Sequence, residues 1–326
     1  MPVDLIILCG FLGSGKTTLL VDYLNDATSG DTGVIVNEVG EIGVDGAIVA
    51  NEADSLPMTL LANGCVCCSL RSDLVYTINA LLDAPRPEGL PPLRRIILET
   101  SGVSRPGPII ASLADPDLIA RQLRLTVVST YDCTRGADTS EMFEEASAQL
   151  AAANRIVLTK TDAVSPDQLQ VCRDQAHALN PLADIIGSAD RTATVRSAFE
   201  SDQHALSGSD AALAAIQAAG ASSLAHPRLR VLIAQPPAEF EWTEFSEWLD
   251  DLAGFCGDRL LRVKAVVRVR DCADPILIQS VGTTYSAPRR LTRRPDAASV
   301  VIVIVRDLDR AELQANLPSA LLEFQA

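Results

Sequence analysis

Short apolar runs alternate with amphipathic segments through the first 190 residues of the chain. The runs of strand length occupy residues 3–9, 33–36, 95–98, 125–128 and 155–158. Apolar positions recur with helical spacing at residues 16–25, 71–82, 108–114, 141–153 and 166–179. This alternation predicts βαβ units, and therefore an α/β fold with a doubly wound, mainly parallel sheet. Ligands of such sheets bind at the carboxyl ends of the strands, so the residues that follow each strand are the first candidates for function.

The pattern changes after residue 196. Residues 197–223 are rich in Ala, Ser, Gly and Asp and are predicted to form a polar helix and a linker. Beyond them, strand-like runs at residues 229–234, 261–270, 276–281 and 299–305 accompany helical patterns at 242–253 and 310–317. We therefore expect an α/β domain at residues 1–196, a linker at 197–225 and a smaller α+β domain at 226–326, with helices on one face of its sheet.

The first predicted strand leads into GFLGSGKT at residues 10–17, which matches the P-loop pattern G-x-x-x-x-G-K-[ST] and opens a predicted helix. In this motif backbone N–H groups cradle the phosphates, the lysine neutralises the β- and γ-oxygens, and the final hydroxyl ligates Mg²⁺. The first domain is thus predicted to be a P-loop NTPase. Its predicted nucleotide contacts here are Gly10, Gly13, Ser14, Gly15, Lys16, Thr17 and Thr18.

A second buried strand ends in RIILETSG at residues 95–102. An acid at this strand end, Glu99, can hold the Mg²⁺ shell or orient the attacking water, and the backbone N–H near Gly102 can meet the γ-phosphate. Together with Lys16 these two residues form the predicted hydrolytic centre.

A third strand ends in IVLTKTD at residues 156–162. The carboxylate of Asp162 can accept two hydrogen bonds from guanine, whereas adenine offers no matching pair of donors. With Lys160, this motif predicts GTP rather than ATP. It departs from the usual N-K-x-D by having Thr159 in the first position. A nucleotide kinase built on the same P-loop is a competing interpretation, which the guanine motif disfavours.

Three cysteines fall within four residues in NGCVCC: Cys65, Cys67 and Cys68. Thiolates are soft ligands that favour late transition metals, and a tetrahedral site would take a fourth ligand from elsewhere. A vicinal redox pair and inert packing thiols are the alternatives. The segment NEVGEIGVD at residues 37–45 follows the second strand, where P-loop GTPases sense the γ-phosphate. We favour Glu38 of that segment as a metal ligand over a solvated acid.

Composition narrows the setting and the partners. The formal charge of −15 disfavours nucleic acid and anionic membrane as main partners. Eight cysteines without an export signal indicate reduced thiols, and no apolar run is long enough to span a bilayer. We therefore expect a cytoplasmic protein.

In order and separation, GFLGSGKTTLL, NEVGEIGVD, NGCVCC, ETSGVSRPGPII and LTKTD resemble the motifs of the CobW-like GTPases, which are related to the nickel-insertion GTPases of hydrogenase and urease. The later segments GDRLLRVKAVVRV, LIQSVGTTYS and SVVIVIV are similar to the CobW carboxy-terminal domain. The resemblance implies Mg²⁺-dependent GTP hydrolysis coupled to binding of Zn²⁺, Co²⁺ or Ni²⁺ at the cysteine cluster and delivery to a client metalloprotein. It also implies the roles given above for the P-loop residues, Glu99, Gly102, Lys160 and Asp162, and is consistent with a nucleotide-dependent dimer. The histidine-rich tract of many relatives is absent from this sequence.

One alternative function that also uses GTP and the cysteine cluster stays open. The chain could be a GTP-gated assembly chaperone for a metalloenzyme, with the cysteines as structural zinc ligands. Removing the metal would then unfold the protein rather than only inactivate it.

Overall fold

The computed structural model describes residues 3–25, 29–36, 58–60, 70–86, 89–188, 190–200, 226–236, 240–292, 299–317 and 322–325. These residues form two compact units, one largely within the first 200 residues and the other largely from residue 226 onward.

The first unit is built on a parallel sheet of seven strands. The strands are β1 (Asp4–Gly10), β2 (Thr32–Val36), β3 (Met58–Leu60), β4 (Arg95–Glu99), β5 (Arg124–Asp132), β6 (Arg155–Thr159) and β7 (Asp184–Ile186), and they lie in the order β3-β2-β4-β1-β5-β6-β7. Every neighbouring pair is parallel. The predicted doubly wound α/β architecture is confirmed, and β1 lies between the strands that end in Glu99 and Asp132.

Helices connect these strands. They are α1 (Lys16–Leu24), α2 (Leu70–Asp83), α3 (Pro106–Leu113), α4 (Pro116–Ala120), α5 (Gly136–Met142), α6 (Glu144–Ala152), α7 (Pro166–Leu179) and α8 (Arg191–Phe199). One apolar cluster joins α1 and α8 to the sheet, with Leu20 and Phe199 packed against Leu8, Ile97 and Val157. Helix α6 packs against β1, β5 and α3. Strands buried this way read as continuous apolar runs, which explains their clear sequence signal.

Several elements differ from the predicted ones. The expected single helix at residues 141–153 is wrong at its start, because Phe143 is extended and separates α5 from α6. Strand β5 continues four residues past its predicted end at Val128. The short elements β3, β7 and α4 were not predicted. Helix α8 runs through residue 196, where the sequence predicts the first domain to end.

The second unit is an antiparallel sheet with helices on one face. Its strands are β8 (Leu229–Ala234), β9 (Leu260–Val267), β10 (Ile276–Val281), β11 (Thr284–Tyr285), β12 (Arg289–Arg290), β13 (Val300–Arg306) and β14 (Phe324–Gln325). They lie in the order β11-β10-β9-β13-β8-β14, and β12 pairs with β10. Helices α9 (Trp242–Cys256) and α10 (Arg310–Asn316) supply Phe245, Trp248 and Leu313 to one core with Val263 and Val303. Within the described ranges no helix is long and apolar enough to cross a membrane.

Candidate nucleotide-binding site

The P-loop adopts the backbone conformation that its glycines permit. Gly10, Gly13 and Gly15 have φ values of 143°, 71° and 91°, which side-chain-bearing residues rarely adopt. Gly15 is the N-cap residue of α1, which begins at Lys16. The loop therefore leads the first N–H groups of α1 to the carboxyl edge of the sheet, where a helix N-terminus favours an anion.

Three hydroxyl groups form hydrogen bonds within the P-loop and between it and the neighbouring strand ends. The buried Ser14 hydroxyl donates to the Phe11 carbonyl at 2.6 Å and lies 2.6 Å from Thr130 Oγ1 on β5. The Thr159 hydroxyl lies 2.7 Å from the Ser14 carbonyl and 3.1 Å from the Tyr131 carbonyl. The P-loop is thus hydrogen-bonded to the ends of both β5 and β6.

Thr159, the departure from N-K-x-D, therefore has a structural place in the site. Its hydroxyl is a donor that reaches the P-loop carbonyl, and its methyl and Cβ lie 3.6 Å from where a Cβ on Gly15 would stand. The first position of the guanine motif thus contacts the phosphate-binding loop.

We expect Thr159→Val to weaken GDP binding about three- to tenfold, the equivalent of roughly 1 kcal/mol for one lost hydrogen bond. Valine preserves the shape of threonine but leaves the Ser14 carbonyl without this donor. Thr159→Ser keeps the hydroxyl and should bind GDP nearly as wild type does. Isothermal titration with GDP measures both. Equal affinity of Thr159→Val and wild type would show that the hydrogen bond is not needed.

Thr17 and Glu99 meet beside the P-loop. The Thr17 hydroxyl donates to Glu99 Oε1 at 2.6 Å, and Glu99 is only 3% exposed. The Lys16 ammonium donates to the carbonyls of Gly10 at 3.0 Å and Phe11 at 3.3 Å. These residues supply a hydroxyl, a carboxylate and a cation at one end of the loop. Thr18, in contrast, is exposed on α1.

Gly102 lies directly on the P-loop. A Cβ at this position would stand 2.7 Å from the Leu12 nitrogen and 2.9 Å from Leu12 Cα, so only glycine allows this approach. The loop that follows Glu99 therefore packs backbone against backbone on the phosphate-binding loop.

The guanine motif is organised by a residue that the sequence reasoning missed, Asp132. Lys160 forms an ion pair with Asp132 at 2.5 Å, and its own backbone is left-handed, with a φ of 54°. Burial acts to raise the pKa of Asp132, but hydrogen bonds from Lys160 and Thr134 outweigh it and lower that pKa below its ordinary value. Asp162 follows two residues after Lys160 with an exposed side chain.

A lowered carboxyl pKa makes this part of the fold acid-sensitive. Because the folded-state pKa of Asp132 is depressed, its stabilising effect is complete above its ordinary pKa and is lost as the pH falls through the folded-state value. We expect Asp132→Asn to lower the free energy of unfolding at pH 7 by about 1 kcal/mol. The difference should shrink below about pH 4. Urea denaturation across pH 3–7 checks this, with the exposed Asp117→Asn as control. A pH-independent difference would contradict the assignment.

The polar end of β5 carries the missed residues. Thr130 and Asp132 belong to the buried segment that extends the strand beyond Val128. Arg135 follows, and its guanidinium lies 3.8 Å from where a Cβ on Gly13 would stand, which adds a cation beside the P-loop. The available signal was the position of these polar residues immediately after an apolar run.

The predicted metal ligands Glu38, Cys65, Cys67 and Cys68 lie outside the described residues. Among the residues that the structure describes, no group of three or more His, Cys, Asp or Glu side chains could hold a metal ion.

The described cysteines are free thiols. The four buried thiols are Cys9, Cys133, Cys172 and Cys256. Cys272 is partly exposed. Burial raises the pKa of Cys9 and of Cys133 to about 12, and that of Cys256 to about 11. Cys9, near the end of β1, is one of the buried thiols.

Known proteins match both parts of the chain. Residues 4–187 match the nucleotide-binding domain of CobW, HypB and UreG proteins, and residues 230–321 match the carboxy-terminal domain of the cobalamin synthesis protein CobW. The chain belongs to the CobW/HypB/UreG family. This confirms the resemblance that the motifs indicated, and the site described above lies within the part of the chain that matches the nucleotide-binding domain.

The CobW-type relatives are metal-handling proteins by name. The zinc chaperone YjiA of Escherichia coli (strain K12) is 35% identical over 162 residues, 49% of this chain and 50% of YjiA. The zinc chaperone CobW of a Sinorhizobium species is 33% identical over 202 residues, 52% of this chain and 54% of the relative. The zinc-regulated GTPase metalloprotein activator 1 of Schizosaccharomyces pombe is 31% identical over 194 residues, which are 57% of this chain and 45% of the relative. The chain spans about half the length of the curated relatives it matches.

The fold also matches a solved CobW-type structure. The crystal structure of Zn(II)-bound YjiA GTPase from E. coli superposes with a TM-score of 0.66 at 21% identity, covering 98% of each chain. At this identity the match shows a shared fold and confirms the predicted architecture.

Proposed function

We propose that this chain is a cytoplasmic Mg²⁺-dependent GTPase whose nucleotide cycle is coupled to the binding of a transition metal and its delivery to a client metalloprotein. The observation that carries the proposal is the convergence of three motifs at one edge of the sheet: the P-loop, the Thr17–Glu99 pair at 2.6 Å and the T-K-x-D motif. The names of the relatives, zinc chaperones and a GTPase metalloprotein activator, support the coupling to metal.

Guanine specificity is supported by how the T-K-x-D motif is held. Lys160 forms an ion pair with Asp132, and Thr159 is hydrogen-bonded to the P-loop. Asp162 follows in the same motif, and its side chain is exposed. An exposed carboxylate can accept the two donors of a guanine edge. We propose GTP and GDP as the nucleotides on this basis.

The donor set beside the P-loop suits Mg²⁺. This ion prefers oxygen ligands, and the Thr17 hydroxyl and Glu99 carboxylate are such ligands held side by side. When bound, Mg²⁺ would neutralise charge on the β- and γ-phosphate oxygens. The chain's own contribution is to fix those two oxygens, to place the Lys16 ammonium over the loop and to bring the Gly102 backbone onto the P-loop.

The metal that is delivered is a substrate of the cycle, and the proposed ligands are Cys65, Cys67 and Cys68 together with Glu38 from the segment at residues 37–45. Thiolates favour Zn²⁺ and related ions, which agrees with the zinc in the relatives' names. Co²⁺ and Ni²⁺ are the other candidates.

We also propose that two copies of the chain pair when GTP is bound. Large apolar side chains are exposed around the phosphate end of the site: Leu12, Val103, Met142 and Phe143. A second copy that covered this rim would contact the loops that meet the γ-phosphate. Sedimentation velocity with a non-hydrolysable GTP analogue and with GDP tests the pairing, and a monomer in both states would remove it.

The central test is a competitive Zn²⁺ and Co²⁺ titration of the reduced protein with Mg²⁺ and either a non-hydrolysable GTP analogue or GDP. Linkage requires that GTP raise the metal affinity by the same factor by which metal raises the GTP affinity. We expect at least about tenfold tighter metal binding with the GTP analogue, or about 1.4 kcal/mol of coupling. Cys67→Ala should abolish this difference, whereas Cys272→Ala, a thiol in the second unit, should leave it unchanged.

Equal metal affinity in the two nucleotide states would overturn metal delivery. If chelation instead unfolded the protein, as circular dichroism would reveal, the cysteines would be structural zinc ligands and the assembly-chaperone interpretation would replace the proposal.

A further inference from the structure

Gln149 is a fully buried polar residue at the centre of α6. Its side-chain amide nitrogen donates to two backbone carbonyls, that of Gly102 at 3.0 Å and that of Ser104 at 2.8 Å. Both amide hydrogens are therefore used on one short loop, the loop between β4 and α3. A buried polar side chain of this kind has a high cost unless it is hydrogen-bonded, and it fixes the geometry of whatever it bonds.

The loop that Gln149 holds is the one that reaches the phosphate site. It begins just after the buried Glu99, and Gly102 rests on the backbone of Leu12 in the P-loop. The carboxamide of Gln149 fixes the peptide carbonyls on the far side of Gly102, so the rotation of the chain at Gly102 is restricted. The direction of the Gly102 N–H is set by that rotation.

The helix that carries Gln149 is itself a rigid support. Helix α6 packs against β1, β5 and α3, and the Cys9 thiol on β1 lies 4.0 Å from the Gln149 carbonyl. At its N-terminus, Phe143 stacks on Phe11 of the P-loop with ring centroids 4.6 Å apart. One helix thus contacts both loops that face the phosphates.

A second, outer connection joins the same loop to the same helix. Arg105 forms ion pairs with Glu144 at 2.9 Å and Glu145 at 3.0 Å, and each of these side chains is about one-third exposed. Exposed ion pairs are individually weak and lose strength with salt. The buried, two-point contact of Gln149 is therefore the one that determines the geometry of the loop.

We propose that Gln149 is a positioning residue for GTP hydrolysis, which holds the Gly102–Ser104 backbone in register with the P-loop so that the loop meets the γ-phosphate. The inference rests on the proposed GTPase function of this site. Gln149 touches no nucleotide in this role; it acts through Gly102. A displacement of a catalytic loop by about 1 Å is sufficient to reduce a rate strongly.

The test compares steady-state GTP hydrolysis by wild type, Gln149→Met and Gln149→Asn. Methionine keeps the length and volume of glutamine and has no donor. We expect kcat for Gln149→Met to fall about 10- to 100-fold with KM and GDP affinity within about threefold of wild type. Asparagine keeps the carboxamide on a shorter stem and should give an intermediate kcat. A purely structural role would instead move GDP affinity and thermal stability and leave kcat of the folded fraction unchanged.

The matched control is Gln170→Met on α7, where the glutamine is exposed and its side-chain amide donates to Asp174 of its own helix at 2.8 Å. It should hydrolyse GTP as wild type does. Circular dichroism and GDP titration establish the folded fraction of every variant, and Gln149→Asn decides the question if Gln149→Met does not fold. A folded Gln149 variant with wild-type or higher kcat would overturn the positioning role alone. Absence of hydrolysis by the wild type would overturn the proposed function and this inference together.

Discussion

Glu99→Gln is expected to reduce GTP hydrolysis about 100-fold or more, the usual size of effect when an acid that acts at a reacting centre is lost. Glutamine preserves the shape of glutamate and can still accept a hydrogen bond from Thr17, which lies 2.6 Å from the carboxylate. It removes the negative charge, which the metal shell or the attacking water requires, and replaces one acceptor oxygen by an NH₂ donor. The measurement is phosphate release under saturating GTP and Mg²⁺.

The expected loss is specific to hydrolysis. GDP affinity measured without Mg²⁺ should stay close to the wild-type value, because Glu99 is not among the residues proposed to cradle the phosphates. Glu244→Gln on the exposed surface of α9 is the control and should have wild-type activity. Hydrolysis by Glu99→Gln at the wild-type rate would show that the buried acid beside Thr17 has another role.

Gly10→Ala should destabilise the first unit by about 2–5 kcal/mol, since it combines a disfavoured backbone with a steric clash. Gly10 has a φ of 143°, and a Cβ there would stand 2.0 Å from Thr130 Oγ1 and 2.8 Å from Ser14 Oγ. Both atoms belong to the hydroxyl network that holds the P-loop. GDP binding should be lost together with stability, as measured by titration and by urea denaturation followed by circular dichroism.

Gly254→Ala is expected to stabilise the second unit, in contrast to Gly10→Ala in the first. Gly254 lies inside α9, and a Cβ there meets nothing within 4 Å. We expect a gain in stability of about 0.5–1 kcal/mol from the lower backbone entropy of the unfolded chain. Trp242 and Trp248 are also in α9, so tryptophan fluorescence follows this unit directly. If both glycine variants behaved alike, the contacts of Gly10 would not explain its effect.

The architecture of the first unit was predictable because most of its strands are buried on both faces. Strands such as β1 and β6 therefore appear as unbroken apolar runs between helical patterns. The edge strands β3 and β7 have three residues each, too few for any periodicity to be read. The break at Phe143 was also invisible, because local propensity does not report a tertiary contact such as the stacking of Phe143 on Phe11.

The site residues also fall into two groups, those that a local motif predicts and those whose partners are distant in sequence. Lys16, Thr17 and Glu99 were predictable because each stands at a fixed distance from a recognisable motif. Asp132 and Gln149 were not, because their roles depend on partners 28 and 47 residues away in sequence. Asp132 follows an apolar run, but that position does not identify Lys160 as its partner, and Gln149 carries no local signal. Only the folded sheet brings these partners together.

The depth of the described thiols has a practical consequence for chemical labelling. Burial raises the pKa of Cys9 and of Cys133 and keeps both thiols protonated at pH 7, whereas only the thiolate reacts with alkylating reagents. Cys256 is nearly as protected. A maleimide or iodoacetamide applied to the native protein will therefore leave these background cysteines untouched. Once the partly exposed Cys272 is replaced by Ala, a nucleotide- or metal-dependent change in alkylation can be read by mass spectrometry from Cys65, Cys67 and Cys68.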